Sequence, residues 1–348
     1  MAKPNLALIP ATIGTRVYSV LPSDGDGDFT FSRATIATRI NSLGLIEEVP
    51  VGHNRLNYDL LDGEVYGCPN LLLEPSRTNR IVNSQALSTW GQTNVATTDN
   101  FAISPDGTLN ASKITDNSTS GNHRIIELST TVNSSGEATY SIFLKKGTMT
   151  TCFVNMFSGS TISNASVNLI DGTITGGAGI NHKIEKYPND WFRVSIQGTL
   201  SSTSTYVYLY LKQLAGYVGT GQYLYAWGGQ LEEASYPTSY IKTTGSAVTR
   251  NAETANGSGN AQTFNDAEGV LMVEISALAN DLSYRILSIS NSTASERIYM
   301  QYTNVSNTVS VVVKNGNVTQ ANIAYVLDNE TEFNKVLFKY KQNDFAFW

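Results

Sequence analysis

The chain has 348 residues, which is too long for one ordinary domain, so we expect two or three. Only 15% of the residues are charged, and the net charge of −6 comes without any cluster of Lys or Arg, which disfavours direct binding to a nucleic-acid backbone. No apolar run reaches the ~18 residues of a membrane-spanning helix, and the N-terminus lacks the apolar core of a secretory signal. We therefore expect no nucleic-acid partner and no membrane insertion.

The first segment, residues 1–85, is predicted to be irregular with short strands. It contains the run FSRATIATRINSLGLIEEVPVGHNRLNYD from Phe31 and the run CPNLLLEPSRTN from Cys68. An earlier run, DGDGD, resembles the start of a calcium-binding EF-hand loop, but Thr35 stands where that loop needs a Glu. An acidic turn is therefore favoured over a calcium site.

Several charged residues of this segment are candidates for an assembly contact. Arg33 and Arg39 have the spacing of residues on one face of a strand. Together with Arg77 and Glu74 they are predicted to form ion pairs at an intersubunit or particle-docking surface. Ordinary surface charge explains the same residues, and both interpretations stay open.

The second segment, residues 86–250, has the pattern of a β-sandwich. Runs such as ATYSIFLKK, WFRVSIQGTL and TYVYLYLKQL are rich in β-branched and aromatic residues and are separated by turn residues. Asp171-Gly172 predicts a tight hairpin turn with positive φ angles. A jelly roll of two antiparallel sheets is the predicted architecture.

A polar, glycine-containing stretch at 251–262 is typical of a linker, and residues 263–348 form a further β pattern. Asn315-Gly316 is predicted to be the centre of another tight turn. The last four residues are apolar and would leave an unpaired sheet edge, so we expect the natural polypeptide to continue beyond Trp348.

Residues that could carry catalysis or bind metal are scattered. Cys68 and Cys152 are too few for a disulfide framework, and the three histidines have no metal-ligand spacing. Glu232 and Glu233 are adjacent, so on a strand they point to opposite faces and do not form the paired carboxyls of a glycosidase. We predict no catalytic residues, no metal, no cofactor and no enzymatic activity.

Aromatic residues alternate along two strands and are the candidate sugar-binding residues. Rings stack on the apolar faces of sugars, while hydroxyl and amide groups bond the sugar hydroxyls. The first set lies in TYVYLYLKQ and the second in QYLYAWGG, and two such strands set near each other would make one aromatic wall. The candidates are Tyr206, Tyr208, Tyr210, Tyr223, Tyr225 and Trp227.

Both faces of these strands are apolar, however, which favours a core or an assembly surface over an open sugar groove. Trp191 is the best single candidate for a stacking platform, because alternation places it with Arg193 and Gln197 on the polar face of its strand. The alternative is a packing residue, which is the more common role of an outward Trp at the start of a strand.

The two runs in the first segment resemble the N-terminal phrases of bacteriophage virion proteins of the head-fibre and tail-fibre, or receptor-binding, type. The run GGQLEEASYPTSYIKTTGSAVTR, residues 228–250, resembles the phrase that closes the jelly-roll carbohydrate-binding module in many of these proteins. Residues 263–348 resemble the concanavalin-like or laminin-G-like sandwich often appended to such fibres.

The resemblance implies a virion-surface protein, made in the host cytoplasm, that anchors through residues 1–85 to other capsid or tail proteins. It implies a homotrimer whose modules bind a host surface glycan, with many weak sites adding up to avidity. One alternative is a purely structural decoration or connector protein. The other is a tail-spike depolymerase that cuts surface polysaccharide.

Overall fold

A computed structural model describes residues 4–9, 14–129, 132–133 and 135–348. The described chain is all-β, as the sequence predicts, with a single turn of 3₁₀ helix at Leu87–Thr89. The strands of the N-terminal part are β1 Ala7–Leu8, β2 Arg16–Val17, β3 Ser19–Leu21, β4 Phe29–Ser32, β5 Ala37–Ile40, β6 Ile46–Val49, β7 Leu56–Leu61, β8 Glu64–Leu71 and β9 Arg77–Asn79.

The central strands are longer and follow the 3₁₀ turn. They are β10 Gly91–Thr93, β11 Val95–Ile103, β12 Leu109–Asp116, β13 His123–Ser129, β14 Glu137–Lys146, β15 Thr151–Ser158, β16 Ser160–Asn168, β17 Thr173–Gly176, β18 Ile180–Tyr187, β19 Trp191–Thr199, β20 Thr205–Lys212 and β21 Tyr223–Glu232. The C-terminal strands are β22 Val248–Arg250, β23 Thr254–Asn256, β24 Glu268–Ile275, β25 Arg285–Ser290, β26 Arg297–Tyr302, β27 Thr308–Asn315, β28 Val318–Val326, β29 Asn334–Lys341 and β30 Ala346–Phe347.

The chain divides into two compact units. The described residues of Leu8–Ser19 and Asp28–Gly257 form the large unit, and those of Met1–Ala7, Val20–Gly27 and Ser258–Trp348 form the small unit. Most of the expected anchoring segment therefore belongs to the same unit as the expected jelly roll. Part of the expected linker does too, because β23 pairs with β4 of the N-terminal segment.

Two antiparallel sheets dominate the large unit, and each has six strands among the described residues. The first has the order β10-β13-β20-β15-β16-β17 and the second the order β11-β12-β21-β14-β19-β18. Alternating residues of both sheets, such as Leu209 and Val154 of the first and Ile142 and Val194 of the second, meet in one buried apolar core. The result is a sandwich-like pair of sheets whose outer sides are available for other contacts.

The outer side of the second sheet is covered by the N-terminal segment. Phe143, Trp191 and Trp227 from the sheet form a buried cluster with Ile46 of β6 and with Tyr240. We call these residues the covered face. Burial of several large aromatic side chains contributes roughly 2–3 kcal/mol for each, so this contact holds the N-terminal hairpins to the sandwich.

The small unit is also sandwich-like. Within the described residues, its sheets β24-β29-β30 and β25-β26-β27-β28 share a core that includes Met300, Val311 and Phe338. The C-terminal apolar run pairs with β29 through Phe347 opposite Phe338.

Both predicted hairpins occur, but only the one after β27 has a two-residue turn, and neither has the predicted centre. Asn315 pairs directly with Val318, so the two turn residues are Gly316 and Asn317, at φ values of 60° and 65°. The predicted centre, Asn315-Gly316, was therefore wrong by one residue. In the other hairpin Asn168 pairs with Thr173, which leaves a four-residue loop in which Gly172 has a positive φ of 69°.

Candidate ligand-binding face

The outer side of the first sheet carries a row of aromatic residues along β20. Val207, Leu209 and Leu211 are buried in the core, so the alternate residues Tyr206, Tyr208 and Tyr210 point outward. The rings of Tyr208 and Tyr210 stack with centroids 5.6 Å apart, and Tyr206 lies 6.2 Å from Tyr208. These rings form a ladder along the strand.

Strand pairing extends the ladder sideways, because residues directly opposite each other in an antiparallel pair share a face. Phe153, Asn155 and Phe157 of β15 lie opposite Tyr210, Tyr208 and Tyr206, respectively. We call the outer surface formed by Arg124, Phe153, Asn155, Phe157, Tyr206, Tyr208 and Tyr210 the tyrosine face. Phe153 and Phe157 meet Tyr210 and Tyr206 edge-on, at 5.9 Å and 6.2 Å.

Arg124 lies beside the ladder on β13. Its guanidinium carbon is 5.1 Å from the ring centre of Tyr208 and 5.4 Å from that of Tyr210, and Nη1 donates a 2.8 Å hydrogen bond to the Tyr210 hydroxyl. Its Nε is buried and has no hydrogen-bond partner within the described part of the chain. Burial raises the pKa of the Tyr208 hydroxyl above its ordinary value. A tyrosine hydroxyl is protonated at neutral pH in any case, so this group can donate a hydrogen bond.

Asn155 lies in the middle of the tyrosine face and is only 6% exposed. Its Oδ1 accepts no hydrogen bond from any described residue. A buried polar atom without a partner costs about 1–3 kcal/mol, so this position favours a group that donates a hydrogen bond to it.

A glycine-rich loop borders the face next to Asn164, which lies opposite Asn155 on β16. The Asn164 Oδ1 accepts a 3.1 Å hydrogen bond from the backbone N–H of Ala178. A Cβ on Gly177 would lie 2.0 Å from that same oxygen, so a larger residue there would displace the Asn164 side chain.

The structure separates the two aromatic sets that the sequence predicts to form one wall. Strand β20 belongs to the first sheet and β21 to the second, so their outward residues lie on opposite sides of the sandwich. Tyr223 and Tyr225 are half-buried on the second sheet, where Lys113 sits over the Tyr223 ring at 4.0 Å. The prediction of a joint wall was wrong because the chain changes sheets between the two strands.

Three candidate stacking residues are buried. Trp191 and Trp227 have no exposed surface, because the N-terminal hairpins cover the side of the sheet to which they point. The Trp191 Nε1 donates to the carbonyl of Ile103 at 3.1 Å. Trp191 was therefore wrongly predicted to be an exposed platform. Tyr210 is 4% exposed, and its role in this structure is to hold Arg124 rather than to offer its own ring.

Charged residues from the three sequence runs that resemble fibre proteins, together with Glu253, form a second cluster inside the large unit. Arg33 and Arg55 both bind the carboxylate of Glu253, and Arg55 also reaches Glu74 at 2.8 Å. Arg250 binds Glu74 at 2.9 Å. We call these five residues the buried ion network, because the side chains of all of them are at most 3% exposed.

Both interpretations of Arg33 and Glu74, a docking contact and ordinary surface charge, were wrong, because the network that holds these residues is internal. The guanidinium of Arg33 also donates to the carbonyls of Thr35, His53 and Pro50. Its donors are thus used within the chain.

Arg39 and Arg77 are closer to the surface. Arg39 pairs with Glu47 across the β5–β6 hairpin at 2.8 Å, and Glu47 is half-exposed. The guanidinium of Arg77 lies 5.4 Å from the ring centre of Tyr236. An assembly contact through these two residues stays a prediction.

The adjacent carboxyls Glu232 and Glu233 have separate intrachain partners. Glu232 is fully buried and accepts hydrogen bonds from Gln230 and Thr238. Glu233 pairs with Arg80. No group of three or more His, Cys, Asp or Glu among the described residues is arranged to hold a metal ion. The part of the chain that the structure describes contains no helix suited to crossing a bilayer.

Sequence reasoning missed four residues of the tyrosine face: Arg124, Phe153, Asn155 and Phe157. In TCFVNMF the buried Cys152, Val154 and Met156 alternate with the outward three, so the alternation that identified Tyr206 and Tyr208 was present here as well. The pairing of β15 and β13 with β20 could not be read from the sequence, because it joins strands that are not neighbours in the chain.

The chain matches no known protein-family model and no curated protein sequence.

Proposed function

We propose that this chain is a bacteriophage virion protein of the head-fibre or tail-fibre type, whose tyrosine face binds glycans of the host surface. The proposal assigns the sandwich of the large unit to the jelly-roll carbohydrate-binding class and the small unit to the concanavalin-like or laminin-G-like class. The single observation that carries it is the tyrosine face, where half-buried rings surround a buried amide oxygen that lacks a partner.

The chemistry of this face suits a sugar better than an apolar peptide or a lipid. Tyr206, Tyr208 and Phe157 offer ring faces and edges for the C–H surface of a pyranose, and the Tyr208 hydroxyl and Asn155 Oδ1 offer a donor and an acceptor for its hydroxyls. A purely apolar ligand would leave the Asn155 oxygen without a partner, at the cost given above.

The virion assignment rests on the resemblance of three sequence runs to fibre proteins. The buried ion network gives them a common physical role, since Arg33, Glu74 and Arg250 each come from a different run. The runs would thus fasten the N-terminal segment to the sandwich. We propose that the exposed parts of that segment contact other virion proteins and that a homotrimer multiplies weak glycan contacts by avidity.

The experiment is retention of the purified chain on a panel of bacterial surface polysaccharides, by affinity electrophoresis, with released reducing ends scored in the same samples. We expect retention without cleavage. Tyr208→Ala should weaken retention, whereas the matched control Tyr66→Ala, which removes a 64% exposed tyrosine from the β7–β8 hairpin, should not. Aromatic stacking contacts are worth about 0.5–1.5 kcal/mol, which corresponds to roughly a two- to thirteenfold change in affinity.

Each other outcome points to a named alternative. Released reducing ends would establish the depolymerase alternative. A folded chain retained by no polysaccharide would support the purely structural role. Equal loss in Tyr208→Ala and Tyr66→Ala would show that retention does not use the tyrosine face.

A further inference from the structure

We propose that the glycan bound by the tyrosine face carries a carboxylate, as in polysaccharides that contain uronic acids, and that Arg124 recognises it. This inference rests on the proposed function and adds the class of sugar. Its starting point is that, within the part of the chain described, Arg124 is the only charged residue in the three paired rows that contain Tyr206, Tyr208 and Tyr210. These rows run through Thr93, Arg124, Tyr210, Phe153, Ser166 and Thr175, through Ile126, Tyr208, Asn155 and Asn164, and through Tyr206, Phe157 and Thr161. Lys212, the next outward residue of β20, lies beyond these rows, with its Nζ 6.0 Å from the ring centre of Tyr217.

The guanidinium of Arg124 is held in place but not neutralised. Tyr210 fixes Nη1 by a hydrogen bond, and the rings of Tyr208 and Tyr210 lie beside the guanidinium plane. No described carboxylate lies within ion-pair distance of it, although other arginines of the large unit, such as Arg55 and Arg80, do have such partners. The Glu127 side chain of the same strand points toward the other side of the sheet.

A neutral sugar stacked on Tyr208 would remove water from this half-buried cation and return no opposite charge. Desolvation of an unpaired charge is costly, whereas a carboxylate that faces a guanidinium forms charge-assisted hydrogen bonds in a planar fork geometry. The unpartnered Nε lies on the edge of the guanidinium that such a fork uses. The nearby Asn155 oxygen would meanwhile accept from a hydroxyl of the same sugar.

The test begins with the polysaccharide that the chain retains best in the panel. That polymer is bound again after its carboxyl groups have been reduced to primary alcohols, which changes its charge and leaves its sugar backbone in place. We expect the best polymer to be acidic and its affinity to fall about 10- to 100-fold on reduction, as loss of a charge-assisted hydrogen bond predicts. Added NaCl should weaken binding of the acidic form more than that of the reduced form.

Variants locate the effect. Arg124→Gln should lose the preference for the acidic form, and Arg124→Lys should keep part of it, because it retains the charge without the fork. Arg297→Gln is the matched control, since Arg297 of the small unit also lies over a tyrosine ring, 4.1 Å from that of Tyr299, and also has a buried, unpartnered Nε. Thermal unfolding of each variant confirms that it is folded.

The outcomes are distinct from those of the proposed function. A neutral best polymer, or equal affinity for the acidic and reduced forms, overturns the role of Arg124 and leaves glycan binding intact. An unchanged preference in Arg124→Gln also overturns it. Retention of no polymer at all overturns the proposed function itself, and the carboxylate inference with it.

Discussion

Arg55 and Glu253 face each other edge to edge inside the large unit, although 198 residues separate them along the chain. The Arg55 Nε donates to one carboxylate oxygen of Glu253 at 2.6 Å, and Nη2 donates to the other. The pair joins the segment between the β5–β6 and β7–β8 hairpins to the segment between β22 and β23. The pair thus connects a segment that precedes the sandwich strands in the chain with a segment that follows them.

Loss of one partner of this pair should destabilise the large unit strongly. Glu253→Gln would leave Arg33 and Arg55 buried with less negative charge, and we expect a loss of about 3–5 kcal/mol in the free energy of unfolding. Urea denaturation measures this change in the free energy of unfolding. The control is Glu47→Gln, which breaks a half-exposed pair with Arg39 and should cost under about 1 kcal/mol. Equal losses in the two variants would contradict a special role for the buried pair.

Acid should release the buried ion network through Glu74. Burial alone would raise the pKa of this carboxyl, but the charges of Arg55 and Arg250 and hydrogen bonds from Ser239 outweigh burial and lower the pKa to about 2. The ion pairs therefore contribute fully above the ordinary pKa of 4.5, and that contribution is lost as the pH falls through 4.5 toward 2. We expect the urea midpoint to fall over this interval, with a slope that is reduced in Glu74→Gln. Identical slopes in the two proteins would disprove the assignment.

Glu127 should have the opposite effect to Glu74 on the pH dependence of stability. Burial raises its pKa to about 7, an effect only partly offset by a hydrogen bond with the backbone of Val82. The folded protein prefers the neutral acid, so Glu127 costs stability increasingly as the pH rises from about 4.5 to 7, and the cost stays constant above that range. Glu127→Gln should match the wild type near pH 4 and melt higher at pH 8. Melting curves at both pH values test this, and a difference independent of pH would count against it.

The turn between β27 and β28 gives a prediction for the small unit. Asn317 has a φ of 65°, which Asn and Gly tolerate and β-branched residues avoid. Asn317→Val should lower the free energy of unfolding by about 1–2 kcal/mol, whereas Asn317→Gly should be nearly neutral. Val318→Thr, at an exposed position of the following strand, is the control. Equal stability of the two Asn317 variants would mean that the turn does not require the left-handed conformation.

Local pattern was enough to predict the strands and the direction of many side chains. Alternation correctly grouped Tyr206, Tyr208 and Tyr210 on one side of β20, and the structure shows that the other side of the strand faces the second sheet. The same rule placed Trp191 on an outer side, and that part was correct. It could not show that hairpins from residues 37–71 would cover that side, because coverage depends on contacts between distant segments.

The ion pairs show the same limit more sharply. Arg33 and Glu74 were recognisable as charged residues in a chain with few charges. A single sequence, however, does not show whether such a residue is buried or exposed. Only the pairing of β23 with β4 brings Glu253 to Arg33. Spacing within one strand carries no information about such a partner.

The covered face also limits how this protein can be cut into pieces. A fragment limited to residues 86–250 would lose Ile46 and the hairpins over Phe143, Trp191 and Trp227, and it would present these rings to water as an adhesive apolar surface. It would also leave Arg250 without Glu74. Aggregation of such a fragment would therefore result from the loss of the N-terminal hairpins that cover this face. Binding of the fragment to cells or polysaccharide would not be evidence of specific recognition.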